Sequence, residues 1–226
     1  MFKKILIVMV ILILLMLVFH KAEAESYTFG NYWQTFDVEG AKTPVEWLII
    51  DESDDAYLLI SKYSLDASVF NLNDKYTTWE NSIVREFLNG YFYDECFSAE
   101  EKERIRLTLV EPHINTDHPK INQGNPTWDN VFLLSAAEAD KYFNNNNERI
   151  AIATGFAQLG HAREFGKYWQ GAYTVPETRA TCWRLRTMGW DNYHACVVLE
   201  DGFIALHGDI LYSPHYAVRP CIWVLK

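Results

Sequence analysis

The last third of the chain is a series of short strand-like runs separated by turn residues, and this pattern limits the possible folds most. The runs are ATCWRLRT, HACVVLE, FIALHGD and YAVRPCIWV, and they are rich in β-branched and aromatic residues. Such residues fit a pleated, half-buried surface. Asp201 and Gly202 stand between two of the runs, as in a tight hairpin turn. The pattern predicts an antiparallel meander.

The earlier part of the chain adds further strands and a few helices. YTFGNYWQTF predicts a strand, and TPVEWLIIDESDDAYLLISKY predicts a hairpin around its polar turn. Apolar residues at helical spacing in TTWENSIVREFLNGYF predict a helix that Thr78 caps and Asn89-Gly90 closes. Ser98 and Ser135 each have Glu three residues on, which is the capping-box spacing of two more helix starts.

The order of these elements indicates the fold class. Strands come first, then two helices, a loop, one helix and the meander, so the chain does not alternate strand and helix. We therefore expect an α+β fold with mostly antiparallel sheets and two or three helices. Residues 25–226 are long enough for one domain with a real core.

Residues 1–24 have the features of a secretory signal peptide. Two early lysines precede an unbroken apolar run at 5–19, and Ala22 and Ala24 are the small residues that a signal peptidase accepts. The run is shorter than the ~20 residues of a membrane-spanning helix. We predict cleavage after Ala24 and a secreted or cell-surface location, with retention as an N-terminal anchor as the alternative.

The charge of the chain limits its partners. Residues 1–24 contain three basic side chains and one acidic, which leaves 17 basic and 29 acidic side chains, a net charge of −12, in the rest. Nucleic acid and anionic lipid need a positive field, so neither is expected as a partner. The aromatic content of 15% fits a β-rich core, or a surface that binds sugar or peptide.

The four cysteines permit disulfides in an exported protein but do not form a CxxC pair. Cys182 with Cys221 and Cys196 with Cys221 are the competing pairs if the strands that carry them are neighbours. Cys96 follows a helix and is expected to stay free. Cys196 also has His194 two residues away, which raises the alternative of a thiol with an adjacent base.

Strand alternation in CWRLRT places Arg184 and Arg186 on one face and Trp183 on the other. One interpretation is that the arginines and Arg219 bind acidic loops inside the fold while Trp183 fills the core. The other is that they line a pocket with Trp190 for a carboxylate, a phosphate or a sugar hydroxyl. The candidate ligand-binding residues are Trp183, Arg184, Arg186, Trp190 and Arg219.

Residues 111–130 form an irregular segment with three prolines, and loops of this length are usually functional or disordered. Its histidines, His113 and His118, lack further ligands at a recognisable metal-binding spacing. The tripeptide WDN occurs at 128–130 and again at 190–192. Its acid and amide oxygens suit calcium, although turn formation is the simpler interpretation. We expect no cofactor, with calcium as the alternative.

Several phrases together resemble a bacterial family of domains of unknown function. They are FGNYWQ, TPVEWLIIDE, YLLISKYSLD, TTWENSIVREFLNGYFYDECFSAEEKERI, DNVFLLSAAEADKYF, CWRLRTMG and AVRPCIWV. Members of that family read P-I-E-W, T-W-E-x-S-x-L-R-x-W-L-N, V-F-L-L-S, W-W-L-R-S-P-G and V-R-P-A-x-W-I in this order. This chain departs at Arg184, where a second tryptophan is usual, at Met188, where proline is usual, and at Cys221, where a small residue is usual.

The ending of the chain resembles, more distantly, C-type-lectin-like and formylglycine-generating-enzyme-like domains. There, a tryptophan-arginine strand and a final arginine-bearing strand build the ligand-facing sheet. The cysteine pair of those enzymes needs a spacing that this chain lacks. The resemblance implies an exported, non-enzymatic binding module for a glycan, a peptide or a surface protein. The alternatives are a structural accessory domain without a small ligand and a divergent extracellular enzyme.

Overall fold

The structure, a computed structural model, describes residues 26–37, 40–72, 75–159 and 171–226. The predicted signal peptide lies outside the described residues. The strands are β1 Ser26–Tyr32, β2 Thr43–Glu52, β3 Ala56–Ser61, β4 Asp66–Ala67, β5 Thr108–Val110, β6 Thr127–Asp129, β7 Ala151–Ile152, β8 Ala180–Thr181, β9 Trp183–Met188, β10 His194–Val198, β11 Ile204–Ile210, β12 Ala217–Val218 and β13 Cys221–Leu225. The α-helices are α1 Ile83–Phe87, α2 Tyr93–Cys96, α3 Ala99–Arg104, α4 Ala136–Tyr142, α5 Asn146–Arg149 and α6 Gly155–Leu159.

The fold is α+β with mostly antiparallel sheets, as the sequence predicts. A four-stranded sheet has the order β1-β2-β3-β13, and a five-stranded sheet has the order β11-β10-β9-β12-β4. Both predicted hairpins form, since β2 pairs antiparallel with β3 and β10 with β11. Side chains of both sheets and of α1 belong to one buried hydrophobic cluster.

The chain crosses from one sheet to the other at Arg219 and Pro220. Val218 pairs with β4 in the five-stranded sheet, whereas Cys221 pairs with β3 in the four-stranded sheet. Proline donates no ladder hydrogen bond, so it fits a position between two strands. This crossing places Arg219 at the junction of the two sheets.

The first predicted helix begins later and continues further than the sequence suggests. A 3-10 turn, Trp79–Asn81, comes first, and the Ser82 side chain caps α1 by accepting from the Arg85 backbone N–H. Asn89 and Gly90 do not close the helix, because a π-helical turn, Leu88–Phe92, continues into α2. The Asn89 side chain instead binds the chain at residues 130 and 131. Both capping boxes are confirmed, at α3 and α4.

All four cysteines are free in the structure, so neither expected disulfide is present. The physical reason is that Cys182 precedes β9 and Cys196 lies in β10, whereas Cys221 lies in β13 of the other sheet. The expectation that these strands are neighbours is therefore wrong.

Helices in the described part of the chain are all too short or too polar to span a lipid bilayer.

Candidate functional site

The strand that carries the predicted site is buried along its whole length. Every residue of β9 is buried, including Trp183 and both arginines. Arg184 donates to the carbonyl oxygens of Asp209, Ile210 and Ser213, at 3.2, 2.7 and 3.2 Å. Its guanidinium also lies over the Tyr216 ring, 4.1 Å from the centroid. Burial lowers the pKa of Arg184 to about 10, so it remains a cation at neutral pH.

Arg186 makes a two-pronged contact with a carboxylate on helix α4. Its two terminal nitrogens donate to the two oxygens of Glu138, and one also donates to the Leu133 carbonyl at 2.7 Å. Burial raises the pKa of Glu138, but the charge of Arg186, its hydrogen bonds and the Ser135 backbone N–H outweigh burial and hold it below its usual range. This pair ties β9 to the start of α4.

Arg219 fills the junction between the sheets, where its contacts with described residues are carbonyl oxygens and aromatic rings rather than carboxylates. It donates to the Ser61 carbonyl at 2.9 Å and to the Arg149 carbonyl at 3.4 Å. The guanidinium lies over the rings of Phe143 and Trp183, 5.4 and 5.2 Å from their centroids. Cation–π contacts of this kind compensate part of the cost of burying the charge.

The structure therefore does not bring the five predicted residues together at an open surface. Trp183, Arg184, Arg186 and Arg219 are at most 4% exposed, and the indole N–H and each guanidinium donate to acceptors inside the protein. Trp190 alone is on the surface, with 45% of its area exposed. Beside Arg186 there is a cavity of only about 10 Å³, which is room for one water.

The first WDN tripeptide has a structural role. Its Asp129 carboxylate is fully buried, and protein groups bind both of its oxygens. It accepts from the Trp79 indole N–H at 2.9 Å and from the Thr127 hydroxyl at 2.6 Å. Arg85 Nε donates to its other oxygen at 2.6 Å, as an ion pair. Trp79 and Arg85 belong to the helical segment after Thr78. Their contacts with Asp129 therefore join that segment to the end of the 111–130 loop.

The second WDN tripeptide forms a turn on the surface. The Asp191 carboxylate accepts from the Tyr193 backbone N–H at 2.7 Å and lies 2.7 Å from His194 Nδ1. Such side-chain-to-backbone bonds are typical of an Asx turn. Within the described ranges, no group of three or more His, Cys, Asp or Glu side chains is arranged to hold a metal ion.

Ser135 and Cys196 are not arranged as activated nucleophiles. Ser135 Oγ lies 2.8 Å from His113 Nδ1, and Glu138 lies 3.8 Å from the same nitrogen. A triad needs the acid and the serine on opposite ring nitrogens. Burial raises the pKa of Cys196 to about 12, so its thiol, predicted as a possible nucleophile with His194, stays protonated at neutral pH.

A polar pocket lies where the 111–130 loop meets the residues before α1. Its volume is about 310 Å³, and small-ligand pockets measure roughly 300–1,000 Å³. We call it the loop pocket, and its lining residues are Tyr76, Thr77, Thr78, Glu80, Asn81, Asn122, Gly124 and Asn125.

The loop reaches this position because side-chain amides fasten it. Asn115 is fully buried and donates to the carbonyl oxygens of Met188 and Leu206 at 2.9 and 2.8 Å. Gln123 accepts from the Met188 backbone N–H at 2.8 Å. Gly124 has φ +86°, and a Cβ there would lie 2.5 Å from the Thr78 hydroxyl. Glycine is thus required both by the backbone and by the close approach.

The loop pocket combines an exposed ring with amide and carboxylate groups. Tyr76 is 54% exposed, and its hydroxyl accepts from the Asn122 side chain at 2.8 Å. Glu80 accepts from the Asn125 backbone N–H at 2.5 Å and from the Asn81 side chain at 3.0 Å. The Asn125 N–H holds the pKa of Glu80 below its usual range, so this wall of the pocket is anionic.

Sequence reasoning singled out the 111–130 loop but missed the pocket. The length of the loop was the available signal, and Asn122, Gly124 and Asn125 from it line the site. The opposite wall gave no signal of its own, because Tyr76 precedes the predicted helix and Glu80 lies in its first turn. The pairing of two segments about 45 residues apart, as between Glu80 and Asn125, is visible only in three dimensions.

Comparison with known proteins gives one match. The sequence profile of a family described as "Domain of unknown function (DUF6273)" matches residues 54–226. No curated protein and no solved structure matches the chain significantly. The matched range contains the loop pocket and every residue of the predicted site.

Proposed function

This chain belongs to the DUF6273 family of domains of unknown function, and we propose that it is an exported, non-enzymatic module that binds a saccharide in the loop pocket. The observation that carries the proposal is the composition of that pocket. An exposed tyrosine ring stands beside carboxylate, amide and hydroxyl groups in about 310 Å³.

These groups suit a sugar better than an apolar ligand. A sugar presents C–H groups on one face and hydroxyls around its edge. The Tyr76 ring offers a flat surface to the C–H face. Amide side chains provide both donors and acceptors, and the Glu80 carboxylate provides strong acceptors for hydroxyl groups. Asn81 and Asn125 flank that carboxylate.

The charge of the pocket selects among sugars. Glu80 is ionised, and the whole chain has a net charge of −10. An acidic sugar would place a second negative charge beside Glu80, which is unfavourable. The proposed ligand is therefore a neutral or amino sugar, and uronic acids and phosphorylated sugars are poor ligands.

The second candidate is a structural accessory domain that binds no small ligand. The observation that favours it is that Arg184, Arg186 and Arg219 bind internal groups rather than an open surface. These arginines lie in β9 and at the sheet junction, outside the loop pocket. Tyr76 in that pocket remains exposed, and we therefore rank saccharide binding first.

Export and the distant fold relationship belong to the same proposal. The signal features of residues 1–24 support secretion, and protein recovered from the medium is expected to begin at Glu25. A C-type-lectin-like origin is supported by the tryptophan-arginine strand and by the final arginine-bearing run AVRPCIWV. A solved structure whose strand order differs from that of such domains would contradict this part.

The proposal is tested with a glycan array that includes neutral, amino and acidic sugars, together with a peptide array. We expect binding to neutral or amino sugars that is lost, at least tenfold, in Tyr76→Ala because the stacking surface disappears. Tyr173→Ala is the matched control, since Tyr173 is 64% exposed and does not line the pocket. Binding to peptides alone, or no binding to any array, would contradict the proposal, as would equal losses in the two variants.

A further inference from the structure

We infer that the ligand continues from the loop pocket onto Trp190, so that the module selects an oligosaccharide over its single unit. This inference rests on the proposed function. It adds a second subsite, made by the turn at 189–193 and by the same long loop that builds the pocket.

Trp190 is an exposed ring held in a fixed orientation. It is 45% exposed, yet it stacks on His207 with 4.9 Å between centroids and 17° between planes. His194 packs edge-on against it at 5.2 Å. The Trp190 backbone N–H donates to the His207 carbonyl at 3.0 Å. A ring already fixed in this way loses little conformational entropy when a ligand stacks on it.

Asn192 connects this ring to the loop pocket. Asn192 is buried, and its side chain donates to the Asn122 carbonyl at 2.6 Å. Its own carbonyl accepts from the Thr77 backbone N–H at 3.3 Å. Asn122 and Thr77 both line the pocket, and Asn192 is two residues from Trp190. The turn that carries Trp190 is therefore joined to the wall of the loop pocket by two hydrogen bonds.

Histidine side chains cluster beside Trp190, two of them in contact with its ring. The long loop brings His118 to His207, with 5.9 Å between ring centroids, and His194 lies 6.4 Å from His207. Imidazole nitrogens form hydrogen bonds with hydroxyl groups. An exposed flat ring with polar side chains beside it is, as in the loop pocket, a combination that suits a saccharide unit.

Isothermal titration with two pairs of probes tests the inference. The pairs are N-acetylglucosamine with its β-1,4-linked tetramer, and glucose with the corresponding glucose tetramer. We expect the tetramer of at least one pair to bind tenfold or more tightly than its monomer. Trp190→Ala should remove this gain and leave the monomer affinity unchanged.

Trp128→Ala is the control, because Trp128 is the tryptophan of the other WDN tripeptide and is 60% exposed. It should leave both affinities unchanged, and thermal unfolding verifies that each variant is folded. Equal affinities for monomer and tetramer would overturn the inference while leaving the proposed function intact. A loss in Trp190→Ala that is the same for monomer and tetramer would also overturn it. Absence of binding to all four probes would overturn the inference together with the choice of neutral sugars.

Discussion

Single buried polar side chains hold together segments that are far apart in sequence. The Asp129 carboxylate accepts hydrogen bonds from Trp79 and Thr127 and forms an ion pair with Arg85. Arg219 sits between two aromatic rings at the sheet junction. Sequence reasoning assigned Asp129 to a turn cap and left Arg219 between a pocket and an internal contact. Residue type alone cannot decide between these, because partners such as Arg85 of Asp129 and Ser61 of Arg219 lie 44 and 158 residues away in the sequence.

The two WDN tripeptides provide a matched test at this scale. Asp129→Asn removes the charge that compensates Arg85 in a buried contact, and it should lower the free energy of unfolding by about 3 kcal/mol. Asp191→Asn preserves the Asx turn on the surface and should change it by less than about 0.5 kcal/mol. Urea denaturation of both variants measures the difference. Similar decreases in the free energy of unfolding for the two variants would contradict the stabilising role of the buried Asp129–Arg85 pair.

Strand β9 and helix α4 show what a sequence pattern determines about an element and what it omits. Alternation predicts that Trp183 lies on the face of the strand opposite to Arg184 and Arg186. It does not reveal that both faces are buried, because a face with two arginines is normally read as exposed. The capping box at Ser135 is predictable from local spacing, whereas the contact of Glu138 with Arg186 depends on how α4 packs on the sheet.

The Glu138–Arg186 pair predicts a pH dependence of stability. The folded pKa of Glu138 lies below its ordinary value of 4.5, so the unfolded state takes up the proton first as pH falls. The stabilisation is therefore complete above about pH 4.5 and is lost as pH falls through the lower folded value. Thermal unfolding between pH 3 and 7 should show Glu138→Gln well below the parent at pH 7, with the difference becoming smaller as pH falls below about 4.5.

Glu103→Gln, an exposed change on α3, controls for the loss of one negative charge from an acidic protein. It should follow the parent curve across the whole pH range. A Glu138→Gln curve that stays parallel to the parent would contradict the assigned role of the ion pair.

At the scale of the whole molecule, the two sheets form the support and the long loop forms the proposed site. The order of strand-like and helical runs was enough to predict the α+β class and the antiparallel pairing. It was not enough to predict the division into two sheets, because the crossing at Arg219–Pro220 breaks what reads as a single strand. The loop pocket could not be predicted either, because two segments that are separate in the sequence build it.

The proposed ligand site is the loop pocket and not strand β9 with its arginines. Chemical-shift mapping on the ¹⁵N-labelled protein, titrated with the tightest sugar from the array, tests this claim most directly. We expect the amide signals of Tyr76, Thr77, Asn81 and residues 122–125 to shift, joined by Trp190 when the sugar is an oligomer. Shifts centred on residues 183–188 with the pocket signals unchanged, or no shifts at saturating sugar, would contradict the claim.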